Sequence, residues 1–234
     1  MNLLALETTT EACSVALVHG DELLVRSELA PRRHTELALP MADALLAEAG
    51  LARTALDAIA VGRGPGAFTG VRIGVALAQG MALALDLPVV AVSSLAALAL
   101  EAEVDDAALD DAAILAVIDA RMGEIYAGAY RHDARGGLVE LMPECVLEPG
   151  RLQLPEALAW RVVGSGWATY ADVLAPMLGD RLRSAEGARY PQAARVAELA
   201  VREYQAGRAV APELALPVYL RDKVALTLAE QHAR

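Results

Sequence analysis

LLALETTTEACSVALV at residues 3–18 and LAVIDARMGEIYAGAY at residues 115–130 share one pattern. Each is an apolar strand ending in a single carboxylate, Glu7 or Asp119, then a short turn, then a second strand of alternating hydrophobicity. A pattern repeated at this separation points to two copies of one α/β unit rather than a single continuous sheet. The 234 residues leave about 100 for each copy, enough to bury a core in both.

Around the first copy the hydrophobic pattern predicts strands at 3–6, 13–18 and 22–29. A helix follows at 35–50, with Thr35 as N-cap, Glu36 in the first turn, a kink at Pro40 and Gly50 as the stop. Next come a strand at 57–62, a helix at 69–85 ended by Asp86 and Pro88, a strand at 88–92 and a helix from Ser93, giving the order βββαβαβα. The acidic stretch EAEVDDAALDD at 101–111 is a surface boundary. Beyond it lie strands at 113–119, 124–130, 138–147 and 161–164 and helices at 167–178 and 192–206. The tail PVYLRDKVALTLAEQ holds a short extended piece and a last helix returning to the first unit. The expected domains are thus 1–103, completed by a C-terminal helix at 219–234, and a reduced second copy at 104–218. Two tandem βββαβαβα units resemble the ribonuclease H-like duplication of actin, the sugar kinases and the large heat-shock chaperones.

The core has to be built from Ala, Leu and Val, because 56% of the chain is hydrophobic but only 4% aromatic. Mean hydropathy is +0.36, yet the most apolar stretch, residues 71–100, is broken by Arg72, Gln79, Asp86 and Pro88 and makes no membrane span. The excess points to apolar surface covered by a partner. A net charge of −11, with Lys223 the single lysine, works against tight binding of RNA or DNA by this chain alone, since that relies on Lys and Arg displacing counterions. Cys13 and Cys145 are too few for a disulfide framework and lack metal-type spacing, which makes them reduced, buried thiols. The start MNLLALETTT has neither the basic residues nor the apolar length of a signal peptide, so the expected compartment is the cytoplasm.

Residues 62–70, GRGPGAFTG, contain Gly-x-Gly-x-x-Ala at Gly62, Gly64 and Ala67 between a strand and a helix. A dinucleotide site fits poorly: Pro65 removes an N–H, and the next strand ends in Ser93-Ser94 without an acid for a ribose. A P-loop lacks its Gly-Lys-Ser/Thr. The alternative is a turn that lets the next helix start close to the sheet. In that helix Gly70, Gly74, Ala78 and Ala82 form a line of small residues that suits the close approach of another helix. Its other faces are apolar too, and Arg72 is its one charge, so a second polypeptide is expected against it. His19, His34, His132 and His232 have no metal-ligand spacing. His34 follows Arg32 and Arg33 at a solvated helix start, and Asp119, Arg121 and Glu124 form a structural ion cluster. Glu7, Thr8, Thr9 and Thr10 are hard-oxygen candidates for a magnesium nucleotide.

The stretches LALETTTEACSVAL, HTELALPMADALLAEAG, GRGPGAFTGVRIGVALAQGMALAL, VIDARMGEIYAG and PVYLRDKVA are similar to those of the TsaB (YeaZ) family. That family serves the machinery that makes the tRNA modification N6-threonylcarbamoyladenosine. The resemblance implies a non-catalytic accessory subunit that binds and stabilises the catalytic paralogue TsaD, which transfers the threonylcarbamoyl group, and helps dock the ATPase TsaE. TsaD holds its metal with a His-x-x-x-His motif, whose positions fall on Ser94 and Leu98 here, and leucine offers no lone pair. The implied interface is the pair of N-terminal helices, with His34, Leu37, Met41, Gly70, Ile73, Gly74, Leu77, Ala78 and Met81. Alone, the chain is expected to cover that face with a second copy. It would meet tRNA only through the complex and need no cofactor of its own, with ATP or ADP at the partner boundary. Two rival readings are an independent ATP-dependent small-molecule kinase using Glu7 and Asp119 as magnesium-linked acids, and a metallopeptidase.

Overall fold

A computed structural model describes residues 1–102, 112–133, 137–155 and 158–221. The first half contains β1 (Asn2–Glu7), β2 (Ala12–His19), β3 (Glu22–Leu29), α1 (His34–Glu48), β4 (Ala58–Gly62), α2 (Phe68–Leu85), β5 (Val89–Val92) and α3 (Ser94–Ala99). The second contains β6 (Ala113–Arg121), β7 (Glu124–His132), β8 (Leu138–Leu147), β9 (Trp160–Val163), α4 (Ser165–Leu178), β10 (Leu182–Glu186) and α5 (Ala193–Gln205). The strands form two mixed five-stranded sheets, ordered β3-β2-β1-β4-β5 and β8-β7-β6-β9-β10. In both, the opening strand is central, with an antiparallel neighbour on one side and a parallel one on the other. The sequence repeat is therefore a repeat of sheet topology.

Period-two alternation explains how each sheet is covered on both faces. Leu4, Leu6, Val15 and Leu17 face one way and pack with Leu45 of α1 and with Val75 and Ala78 of α2. Leu3, Ala5 and Ala16 face the other way and pack against Ala193, Val196, Ala197 and Ala200 of α5. In the second sheet Ala113, Leu115 and Val117 meet Leu174 and Leu178 of α4, while Ile114, Ala116 and Ile118 meet Leu95, Leu98 and Ala99 of α3.

This packing corrects the expected placement of the helix at 192–206 within the second unit. α5 lies across the first sheet, where alanines on both surfaces let helix and strands approach closely, and α3 lies on the second sheet in exchange. Each half thus supplies a helix to the other. The segment after α5 also returns to the first half: Val210 pairs with Val89, Ala215 is buried in the core, and the Val218 N–H donates to the Arg63 carbonyl at 2.9 Å. The last helix expected at 219–234 falls, beyond Arg221, outside the described residues, as does most of the acidic boundary.

Three further differences have local causes. Between β8 and β9 the second half has no α-helix among the described residues, only a 3-10 turn at Pro149–Arg151, in a stretch interrupted by Pro149, Gly150 and Pro155. β10 is short and polar, LRSAE, and escapes a hydrophobicity reading. α1 begins at His34 with no side-chain cap and continues through Pro40.

Candidate functional site

β1 ends in a turn that is sealed inside the protein. Glu7, Thr8 and Thr9 are fully buried and Thr10 is 5% exposed. The Glu7 carboxylate accepts the Thr9 N–H at 2.7 Å and the Ser94 hydroxyl at 2.9 Å. The Thr8 hydroxyl donates to the Gly70 carbonyl at 2.8 Å, and His34 Nε2 donates to the Thr10 carbonyl at 2.9 Å. His34 is therefore a buried tie between α1 and this turn rather than a solvated cap residue or a partner contact.

Burial raises the pKa of Glu7 above its ordinary 4.5, against the lowering effect of the bonds from Thr9, Ser94 and Thr8. The folded chain then holds this proton more tightly than the unfolded chain does. Its contribution to stability is complete below pH 4.5 and is lost as pH rises through the raised folded value. Glu7→Gln keeps the shape and the acceptor for Thr9 but cannot ionise. The melting temperature of the variant relative to wild type is expected to climb between about pH 4 and about pH 8. A difference that stays level across circular dichroism melts in that range would contradict the assignment.

A magnesium nucleotide does not fit Glu7 and Thr8. Both carboxylate oxygens of Glu7 are engaged, its burial disfavours the charged form that a hard cation needs, and the Thr8 hydroxyl is turned to Gly70. Thr9 and Thr10 border a cleft instead.

The glycine loop is shaped by the same turn. Gly64 has φ +90°, a region that favours glycine, and the Ala67 N–H donates to the Thr9 carbonyl at 2.7 Å. A Cβ on Gly70 would lie far inside contact distance of the Thr8 carbonyl. On Gly74 it would meet the Thr8 hydroxyl at 2.6 Å and Val61 at 3.4 Å. Gly70, Gly74 and Ala78 are all buried, so the line of small residues faces the chain's own strand and turn. This corrects their expected role in a partner interface: the close approach they permit is intramolecular.

What α2 leaves outward is a different stripe. Ala76, Gly80 and Leu83 are exposed, Leu83 by 75%, with Ile73, Leu77 and Met81 half-buried beside them. Leu77, Met81 and Met41 of α1 pack on the rim of the first core, and Leu37 is half-buried while Leu39 is exposed. α2 has the length and hydropathy of a membrane span, but its inner face is seated on the first sheet.

A cleft of about 560 Å³ opens between the halves. Its walls come from the β1–β2 turn, the start of α2, the β6–β7 turn and residues 218–221. Arg121 and Met122 hold left-handed backbone conformations in the β6–β7 turn, uncommon for such residues. That turn sends Arg121 to Glu11 across the cleft at 2.9 Å and to Asp119 at 3.1 Å. The expected ion cluster is only partly as read: Glu124 pairs with Arg221 from the tail, at 3.0 Å from its Nε. With Arg121 on its carboxylate, Asp119 is also a poor magnesium ligand.

Ser94 donates to Glu7, and Leu98 is fully buried between the halves, so neither position offers a metal an open ligand. Among the described residues no cluster of His, Cys, Asp and Glu is placed to hold a metal. Cys13 and Cys145 are free. Burial, followed by Glu28 and Glu7, pushes the Cys13 thiol to about 11, which keeps it unreactive at neutral pH. Phe68, Tyr219 and Arg221 were not singled out by the sequence pattern, because the tail's position over α2 has no periodic signal. The one charge inside an apolar helix, Arg72, was the available clue.

A protein-family model described as TsaD, tRNA N6-adenosine threonylcarbamoyltransferase, matches residues 25–228. The Escherichia coli protein named tRNA threonylcarbamoyladenosine biosynthesis protein TsaB is 42% identical, with 96% of this chain and 96% of its own length covered. The chain belongs to the TsaB family. A TsaB protein of Haemophilus influenzae is 40% identical, over 96% of the chain and 95% of its own length. The solved structure of YeaZ from Pseudomonas aeruginosa superposes with a TM-score of 0.84 at 44% identity, covering 94% of this chain and 99% of that one.

Proposed function

We propose that this TsaB-family chain is a non-catalytic accessory subunit in the synthesis of N6-threonylcarbamoyladenosine on tRNA, binding and stabilising TsaD and helping to dock TsaE. The observation that carries the reading is the outer stripe of α2, where Ala76, Gly80 and Leu83 are exposed with no charge among them. An uncharged helical face of this kind suits a partner helix. Beside it Ile73, Leu77, Met81, Leu37 and Met41 would form the flanks of a helix bundle, and a second copy of the chain would cover the same face when TsaD is absent. The duplicated sheet topology supports reading the halves as two ribonuclease H-like domains.

A silent role suits the residues at the two ligand-type positions, since Ser94 is spent on Glu7 and Leu98 has no lone pair. The kinase reading is weakened by the sealing of Glu7 and the pairing of Asp119. In the proposed role no cofactor is required of this chain, any ATP or ADP belongs to the boundary with the partner, tRNA is met through the complex, and the compartment is the cytoplasm. Purified TsaD and TsaE, supplied with tRNA and threonylcarbamoyl-adenylate, test the proposal by forming the modified base with and without this chain.

A further inference from the structure

The first sheet ends in a strand that the subunit role does not use. β3 pairs with β2 on one side, and among the described residues no strand pairs with its other side. Edge strands are usually blunted by a proline, a bulge or shortness. β3 is eight residues long, ELLVRSEL, contains no proline, and runs along β2 in unbroken register from Glu22 to Leu29.

Its two faces differ. Leu24 packs on the core and Arg26 reaches Glu48 of α1, so the even positions face α1. Ser27 reaches Gln192 just ahead of α5, and on that odd face Leu23, Val25 and Leu29 stand 48%, 37% and 60% exposed. The two-residue turn Gly20–Asp21 makes His19 and Glu22 the closing hydrogen-bonded pair of the hairpin. The N–H and C=O groups of Leu23, Val25, Ser27 and Leu29 therefore point away from β2, to the open edge.

We propose that this edge docks a second copy of the chain, β3 against β3, antiparallel about a two-fold axis at Ser27. Charge decides the register. Odd residues must lie opposite odd ones for their backbone groups to meet. Centring the pair on Val25 sets Glu22 against Glu28, while centring it on Arg26 or on Glu28 sets that charge against itself. Centring on Ser27 places Arg26 opposite Glu28 at both ends and Val25 opposite Leu29 at both ends. Centring on Leu24 also joins opposite charges, Glu22 with Arg26, but leaves Leu29 uncovered, the most exposed of the three apolar side chains. Arg26 and Glu28 are half-exposed and held only by surface pairs with Glu48 and Arg33, which are weak enough to yield to a second copy. α2 lies over β4, away from this edge, so two chains joined through β3 keep both outer α2 stripes free.

The test is sedimentation equilibrium of the full chain carrying Ala76→Arg, which removes pairing through α2. This parent is expected to dimerise with a dissociation constant on the order of 10 to 100 µM, as suits an interface smaller than the standard size. Adding Arg26→Glu, or Glu28→Arg, sets like charges opposite and is expected to weaken dimerisation at least about tenfold. An equimolar mixture of those two variants regains both opposite-charge pairs and is expected to return to within about threefold of the parent, which a folding defect would not do. Should either melt early, Val25→Lys, at an exposed side chain, is expected to abolish dimerisation with an unchanged melting curve. A parent that stays monomeric to about 1 mM, including one whose edge captures a different protein, would overturn the proposal. So would full dimerisation in Glu28→Arg or Val25→Lys, no recovery in the mixture, or recovery of Arg26→Glu by mixing with Glu22→Arg instead. Titration with TsaD reads the α2 stripe and is expected to be unchanged by the β3 substitutions, so either reading can fail without the other.

Discussion

Gly70→Ala is expected to destabilise the fold by about 3 kcal/mol, the upper end of the ordinary cost of overpacking. In an isolated helix the same change would be favourable by up to about 1 kcal/mol. Here the added methyl would be driven into the Thr8 carbonyl, a backbone atom that cannot swing aside. The turn it would displace is tied at several points: Glu7 to Ser94, Thr8 to Gly70, Thr9 to Ala67 and Thr10 to His34. Gly80, ten residues further along the same helix, has nothing within 4 Å of an added Cβ. Gly80→Ala is therefore expected to stabilise by about 0.5–1 kcal/mol. Urea unfolding of both variants measures the contrast, and destabilisations of equal size and sign would contradict the inward orientation of the Gly70 face.

Ala76→Arg is expected to leave the chain folded and to weaken the proposed pairing with TsaD by roughly a hundredfold. Ala76 is exposed on α2, so a long charged side chain can reach water in the free chain. In a helix bundle the same guanidinium would be buried without a partner, at a cost of about 3 kcal/mol, which corresponds to that loss of affinity. Titration of labelled TsaD with wild-type chain and variant reads the effect directly. Gly74 is unsuitable for this purpose, because its substitution strikes Thr8 and Val61 inside the fold.

The repeat was legible because its two strand–turn–strand segments carry both alternating hydrophobicity and a terminal carboxylate, and both became the centres of equivalent sheets. The helices at 35–50 and 69–85 were legible from their ends and period, within a residue or two of α1 and α2. The orientation of α2 was not. Apolar residues surround it, so hydrophobicity does not distinguish its faces, and a line of small residues suits a strand turn as well as a second helix. Only the contacts of Gly70 and Gly74 with Thr8 decide the matter.

The exchange of α3 and α5 was hidden for a similar reason. Their apolar faces state that each must be covered, while the choice of sheet depends on connections too long for local pattern to constrain. Of the candidate ligand residues, Thr9 and Thr10 do border the cleft, but Glu7 and Thr8 are withdrawn by burial, a tertiary property. The tail that brings Tyr219 over Arg72 is 147 residues away in sequence and carries no motif that announces the contact.

The central claim is that this chain acts by enabling a catalytic partner through the outer face of α2. Its most direct measurement is the initial rate of N6-threonylcarbamoyladenosine formation by purified TsaD and TsaE on tRNA, with no addition, with wild-type chain or with Ala76→Arg. The account predicts formation that depends on wild-type chain and falls at least about tenfold with Ala76→Arg at a concentration near the wild-type dissociation constant. Equal rates in all three reactions, or product formed by the chain without TsaD, would contradict it.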